Sequence, residues 1–112
     1  MIHYMNLNAD PFNAMEAGYK TIELRLYDKK RRALSVGDEI CFTCASDASR
    51  TITKKVKALH VFNNFEELYN ALPLLKCGYT PSDVGNAHFT DMEEYYTPSQ
   101  QRKCGVVGIE LE

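Results

Sequence analysis

Gly18-Tyr19-Lys20-Thr21-Ile22-Glu23-Leu24-Arg25-Leu26 (GYKTIELRL) joins two patterns. A glycine able to end a helix in the left-handed conformation is followed by the strict alternation of a strand. Ile22, Leu24 and Leu26 fall on one face and belong against a core; Thr21, Glu23 and Arg25 fall on the other. That polar set has two readings. An antiparallel strand with one wet face carries such residues by default, and ion pairs there contribute little. A carboxylate and a guanidinium facing one cleft instead supply acceptors beside a rigid fork of donors. Lys20 would add a mobile cation, and a desolvated lysine amine can serve as a base. Alternation sets Lys20 opposite Glu23, so it joins them only from a turn after Gly18, outside the ladder.

The elements around this stretch follow from local signals. Ile2–Leu7 reads as a first strand. A helix is expected next, with Asp10 as its N-cap and Pro11 at its first position. The second strand is expected over 21–27. Val36-Gly37-Asp38 is a turn feeding a third strand over 39–44, and residues 47–49 make another turn. A long β-rich run over 50–62 slips its alternation near Lys54-Lys55, as a bulge or bent barrel strand does. Residues 63–72 read as a helix, with Asn64 and Glu67 at capping-box spacing and Phe65, Leu68, Tyr69 and Leu72 on its core face. A second helix start is expected at Thr80-Pro81-Ser82-Asp83, a short helix over 91–96, a further turn over 99–103, and a final strand over 104–111. The fold class is α+β, one domain over 1–112, in which about five strands curl into a small barrel with flanking helices.

Length and composition are those of an ordinary folded domain: 112 residues, 45% hydrophobic and 25% charged. No apolar run reaches membrane-spanning length, and the N-terminus lacks the basic and apolar regions of a signal peptide, so no membrane association and a cytoplasmic location are expected. The net charge of −2 does not by itself recruit nucleic acid, but it is unevenly spread. Residues 20–32 hold six cationic side chains against Glu23 and Asp28, whereas residues 63–99 hold six acids against Lys76 alone. Lys29, Lys30, Arg31 and Arg32 are therefore either a solvated turn or a phosphate-contacting patch. Cys41-Phe42-Thr43-Cys44 has zinc-like spacing, but Cys77 and Cys104 are isolated and the histidines scattered. Within a strand, residues three apart face opposite ways, so reduced thiols are expected rather than a metal site. No metal and no cofactor are expected.

Gly18-Tyr19-Lys20-Thr21-Ile22-Glu23-Leu24-Arg25, followed by Val36-Gly37-Asp38-Glu39-Ile40-Cys41-Phe42, resembles the activating signal cointegrator homology (ASCH) domain, with its G-x-K-x-x-E-x-R and G-D pattern. Tyr95-Tyr96 and Gly105-Val106-Val107-Gly108-Ile109-Glu110-Leu111 are similar to its ending. The resemblance implies a PUA-like β-barrel that binds RNA or nucleotides. Its cleft would hold Lys20, Glu23 and Arg25. The residues themselves add Thr21 and Tyr96 as candidate ligand contacts, through hydroxyls and an aromatic face, and Lys29, Lys30, Arg31 and Arg32 as candidate phosphate contacts. The implied partner is RNA or a modified nucleoside or nucleotide. A branch of similar proteins hydrolyses the acetyl amide of N4-acetylcytidine with a lysine, a threonine three positions on, and a later glutamate. Here Lys20 is kept, but Glu23 stands at the threonine position and no later glutamate matches. An alternative is therefore a small amidohydrolase in which Glu23 activates water and Lys20 stabilises the oxyanion. The sequence leaves open whether the protein is an enzyme, and what its oligomeric state is.

Overall fold

The computed structural model describes residues 1–112. The first strand, β1, spans Ile2–Leu7 and runs into helix α1, Ala9–Ala17. The helix begins earlier than expected: Asn8, not Asp10, is its N-cap, and Asn8 O accepts from Phe12 N at 3.0 Å. Pro11 thus lies inside the first turn. It did not fix the start because none of the first four helical N–H groups has an intrahelical partner, so proline is tolerated at any of those positions. Gly18 closes α1 at φ 95°, and its N–H reaches Met15 O.

Strand β2, Ile22–Leu26, follows a bend at Tyr19 and two irregular residues, Lys20 and Thr21. The basic run forms one short helix, α2 (Lys29–Arg32), whose Asp28 cap accepts from Arg31 N at 3.1 Å. Strand β3, Glu39–Cys44, turns through only Ala45-Ser46 into β4, Asp47–Phe62. Residues 47–49 are thus already strand, because the hairpin turn lies two residues earlier than expected. The long β4 changes partner as it runs, pairing with β3 in its first half and with β5, Val106–Leu111, in its second. Its register shifts between Val56 and Ala58, just beyond the expected slip at Lys54-Lys55. The extra residue lets one strand serve both halves of a curled sheet.

The sheet order is β1-β3-β4-β5-β2, with only β1 and β3 parallel. The result is an α+β fold: a five-stranded, curled half-barrel with helices packed around it. Its two edge strands are β1 and β2. Inside the curl, Met5, Phe12, Met15, Ile40, Phe42, Val107 and Ile109 form the larger core. The second core lies behind β2, where Ile22, Leu24 and Leu26 meet Phe65 and Leu68 of helix α3, Phe65–Ala71. Each of the fully buried Phe12, Phe42 and Phe65 rings contributes about 2–3 kcal/mol through area removed from water.

Residues 74–94 differ most from expectation. Thr80–Asp83 starts no helix: Asp83 Oδ1 takes the Thr80 N–H and Val84 N bonds Thr80 O, a closed local turn. Short 3-10 segments follow at Val84–Asn86 and Phe89–Glu94, and helix α4 covers Pro98–Cys104 behind a Thr97–Gln100 capping box. No helix is long and apolar enough to cross a membrane.

Candidate functional site

The open seam between β1 and β2 positions the site. Met1 O and Leu7 O bond to Glu39 N and Ala45 N, so the odd carbonyls of β1 face β3. Tyr4 O and Asn6 O therefore point out of the free edge. Arg25 Nη2 donates to Asn6 O at 2.6 Å and Lys30 Nζ to Tyr4 O at 2.8 Å. On β2, Thr21 O accepts from Leu111 N and Tyr27 N donates to Gly105 O, so the odd positions face β5. Ile22 O faces the seam and accepts from Lys20 Nζ at 3.0 Å. Cationic side chains thus satisfy strand carbonyls that a closed barrel would have paired.

The polar face of β2 is not wet. Glu23 and Arg25 pair with Ile109 and Val107 of β5, whose side chains lie in the interior of the curl. Lys20 and Glu23 are each only 5% exposed. Lys20 escapes the alternation because it precedes the ladder, just after the bend at Tyr19, so its ammonium comes round to Glu23 Oε1 at 3.1 Å. Arg25 Nε holds Glu23 Oε2 at 2.8 Å. Burial pushes the Glu23 carboxyl up, but the Lys20 ammonium, the Arg25 guanidinium and their hydrogen bonds outweigh it and hold it below its ordinary value of 4.5. The group remains an anion at neutral pH, flanked by two cations.

Lys20 Nζ is fully engaged. Its three hydrogens go to Ile22 O, Cys77 O at 2.9 Å and Glu23 Oε1. Arg25 is less committed: Nε and Nη2 are engaged, while Nη1 makes no hydrogen bond within the chain.

These groups line a cleft of about 620 Å³. Asn6, Asn8 and α1 form one wall. Tyr69, Gly78, Tyr79, Tyr95 and Tyr96 form another, and Tyr19 stands 50% exposed at the rim. Tyr96 stacks on Phe65 at 6.0 Å between centroids, which fixes its ring. Tyr69 Oη lies 2.6 Å from Tyr79 Oη, which donates to Asp91 Oδ2 at 2.7 Å. Burial pushes the Tyr69 hydroxyl up to about 12 and the Cys77 thiol up to about 11. Both stay protonated, so Cys77 supplies no nucleophile.

Of the expected site residues, the fold brings Lys20, Glu23, Arg25 and Tyr96 together. Thr21 stands apart. Its backbone is tied to Lys76 O and Leu111 N, and it lines a separate cavity of about 340 Å³ with Lys57, His60, Lys76 and Glu110. None of Lys29, Lys30, Arg31 or Arg32 lines the main cleft. Lys30 caps Tyr4 O, Arg31 pairs with Asp28 at 3.2 Å, and Arg32 donates to Cys104 O over the Tyr27 ring. The cysteines are free thiols, and no group of three or more His, Cys, Asp or Glu is placed to hold a metal ion. Sequence reasoning missed Tyr69 and Tyr79. Tyr69 sits at core spacing on its helix, and nothing local to Gly78-Tyr79 marks a wall.

The family model for the ASCH domain matches residues 5–112. The hypothetical protein PH0355, solved by crystallography, is 31% identical with a TM-score of 0.81, the match covering 100% of this chain and 98% of that one. The solution structure of protein PF0455 from Pyrococcus furiosus is 29% identical over 100% of this chain and 96% of its own, with a TM-score of 0.72. The crystal structure of ASCH from Zymomonas mobilis shares the fold at a TM-score of 0.67 and 12% identity, over 99% of this chain and 66% of that one. No curated protein matches the chain.

Proposed function

The chain belongs to the ASCH domain family, related to the PUA-like RNA-binding fold, and on that premise we propose that its seam cleft holds a base of RNA or of a modified nucleotide. The observation that carries this reading is the buried Lys20–Glu23–Arg25 group, an anion fixed between two cations at the wall of a tyrosine-lined cleft. A carboxylate ionised at neutral pH accepts from base N–H groups, the free Arg25 Nη1 donates to a base carbonyl, and Tyr19, Tyr95 and Tyr96 offer aromatic faces for stacking. A cleft of this size suits one nucleotide unit better than a duplex. Lys29, the α2 cation with no partner in the chain, is the natural phosphate contact for a strand leaving along the seam past Lys30. Equilibrium titration with RNA and nucleotide panels tests the reading. Binding that weakens as salt rises supports it; binding insensitive to salt, or none, overturns it.

Hydrolysis of an acylated nucleoside finds less support in the geometry. It needs Lys20 to stabilise an oxyanion, yet all three Lys20 hydrogens are bound within the chain. Glu23, stabilised as an anion by its neighbours, is also a weak base. Incubation with N4-acetylcytidine, followed by chromatography, is expected to release no cytidine. Turnover that disappears in Lys20→Ala would establish the hydrolase instead.

A further inference from the structure

The Tyr69–Tyr79 pair that lines the same cleft as Glu23 has a fixed hydrogen-bond polarity. A phenol carries one hydrogen. Tyr79 donates its hydrogen to Asp91 Oδ2, which also accepts from His88 N at 3.2 Å and, as a carboxylate, has none to return. The contact between the two hydroxyls therefore uses the Tyr69 hydrogen, donated to Tyr79 Oη. Tyr69 Oη is left with lone pairs only, and it has no other partner in the chain. Burial and its neighbours hold the Tyr79 hydroxyl well above its ordinary range, so it stays protonated and keeps its hydrogen for Asp91.

The cleft consequently presents acceptors that cannot become donors, the carboxylates of Glu23, Asp10 and Asp83 and Tyr69 Oη, against one charged donor left free, Arg25 Nη1. The amides of Asn6, Asn8 and Asn13 and the hydroxyls of Tyr19, Tyr95 and Tyr96 turn to suit either partner and impose no polarity. We propose that this arrangement selects guanine, with Tyr69 as a specificity-determining residue and Tyr79 as the positioning residue that fixes its polarity. Guanine has two donor nitrogens beside one acceptor on its pairing edge, whereas cytosine and uracil have one donor nitrogen beside two acceptors and adenine one beside one. An acceptor-rich site disfavours a base that cannot donate to it, because the Tyr69 Oη lone pairs are then left without a hydrogen to accept. This inference rests on the nucleobase reading of the cleft.

The test is equilibrium titration of wild type, Tyr69→Phe and Tyr79→Phe with GMP, IMP, AMP, CMP and UMP, and with short single-stranded RNAs differing at one central base. Wild type is expected to bind the guanine member about tenfold more tightly than the hypoxanthine member, which lacks the exocyclic amine. Tyr69→Phe keeps the ring and removes the acceptor, so the preference collapses. Tyr79→Phe touches no proposed ligand atom, but it returns the Tyr69 hydrogen to the cleft. Discrimination against uracil should therefore fall several-fold while stacking on the aromatic wall persists. A residue of merely structural importance would lower all affinities together. Binding with another base order, or an unchanged base order in both variants, overturns guanine selection and leaves the nucleobase reading standing. No binding of any nucleotide or RNA overturns both.

Discussion

Lys20 Nζ lies 3.1 Å from Glu23 Oε1, with both side chains less than one-tenth exposed. The pair is local in sequence but tertiary in origin, because the third acceptor of the ammonium, Cys77 O, comes from 57 residues further on. Lys20→Met would leave a buried carboxylate with Arg25 alone and the Ile22 and Cys77 carbonyls without this donor. Breaking a buried pair in this way costs about 3 kcal/mol, readable as a lower denaturant midpoint at unchanged slope. An unaltered midpoint would mean that the pair is dispensable.

The same anion sets a pH dependence. The Glu23 carboxyl lies below 4.5 in the folded protein. Its contribution to stability is thus fully present above the ordinary carboxylate value and is lost as pH falls through the depressed one. Wild type should hold its stability through the neutral range and lose it in acid more steeply than Glu23→Gln. Parallel stability–pH curves for the two proteins would contradict this assignment.

Two cations cap the free edge of β1, and they differ in burial. Arg25 is 15% exposed at its side chain and also neutralises Glu23. Arg25→Ala is expected to cost about 2 kcal/mol and to speed amide exchange along β1. Lys30 is exposed, and Lys30→Ala should cost about 0.5 kcal/mol or less. Equal losses would show that the edge is not organised around Arg25.

Gly108 of β5 lies directly against side chains of the second core. A Cβ there would meet Leu72 Cδ1 at 2.5 Å and Ile22 Cγ2 at 3.3 Å. Gly108→Ala should destabilise by about 1–3 kcal/mol through overpacking, measured by thermal or chemical unfolding. A neutral result would mean that Leu72 moves aside freely.

Much of this fold was legible from local chemistry. Alternation and turn residues located Ile2–Leu7 and Glu39–Cys44 to the residue, and β2 to within one residue at each end. The same alternation grouped Glu23 with Arg25. It was silent on whether their face is wet, because the cross-strand partners that mark it as interior, Val107 and Ile109, lie more than 80 residues away. Lys20 illustrates the converse: strict alternation set it on the wrong face, and only its place after the bend, outside the ladder, brings it to Glu23. The tyrosine relay was invisible for a related reason. Tyr69 sits at core spacing on its helix, and its hydroxyl partner belongs to a turn that no period describes.

The central claim is that the β1–β2 seam is where this domain takes its ligand. Amide chemical-shift mapping during titration with the tightest-binding nucleotide or short RNA tests it most directly. The expected perturbations gather at Asn6, Leu24, Arg25, Tyr69, Gly78 and Tyr96, around the buried Glu23. Perturbations gathered instead at Lys57, His60 and Lys76, around the smaller cavity on the other side of β2, would contradict it.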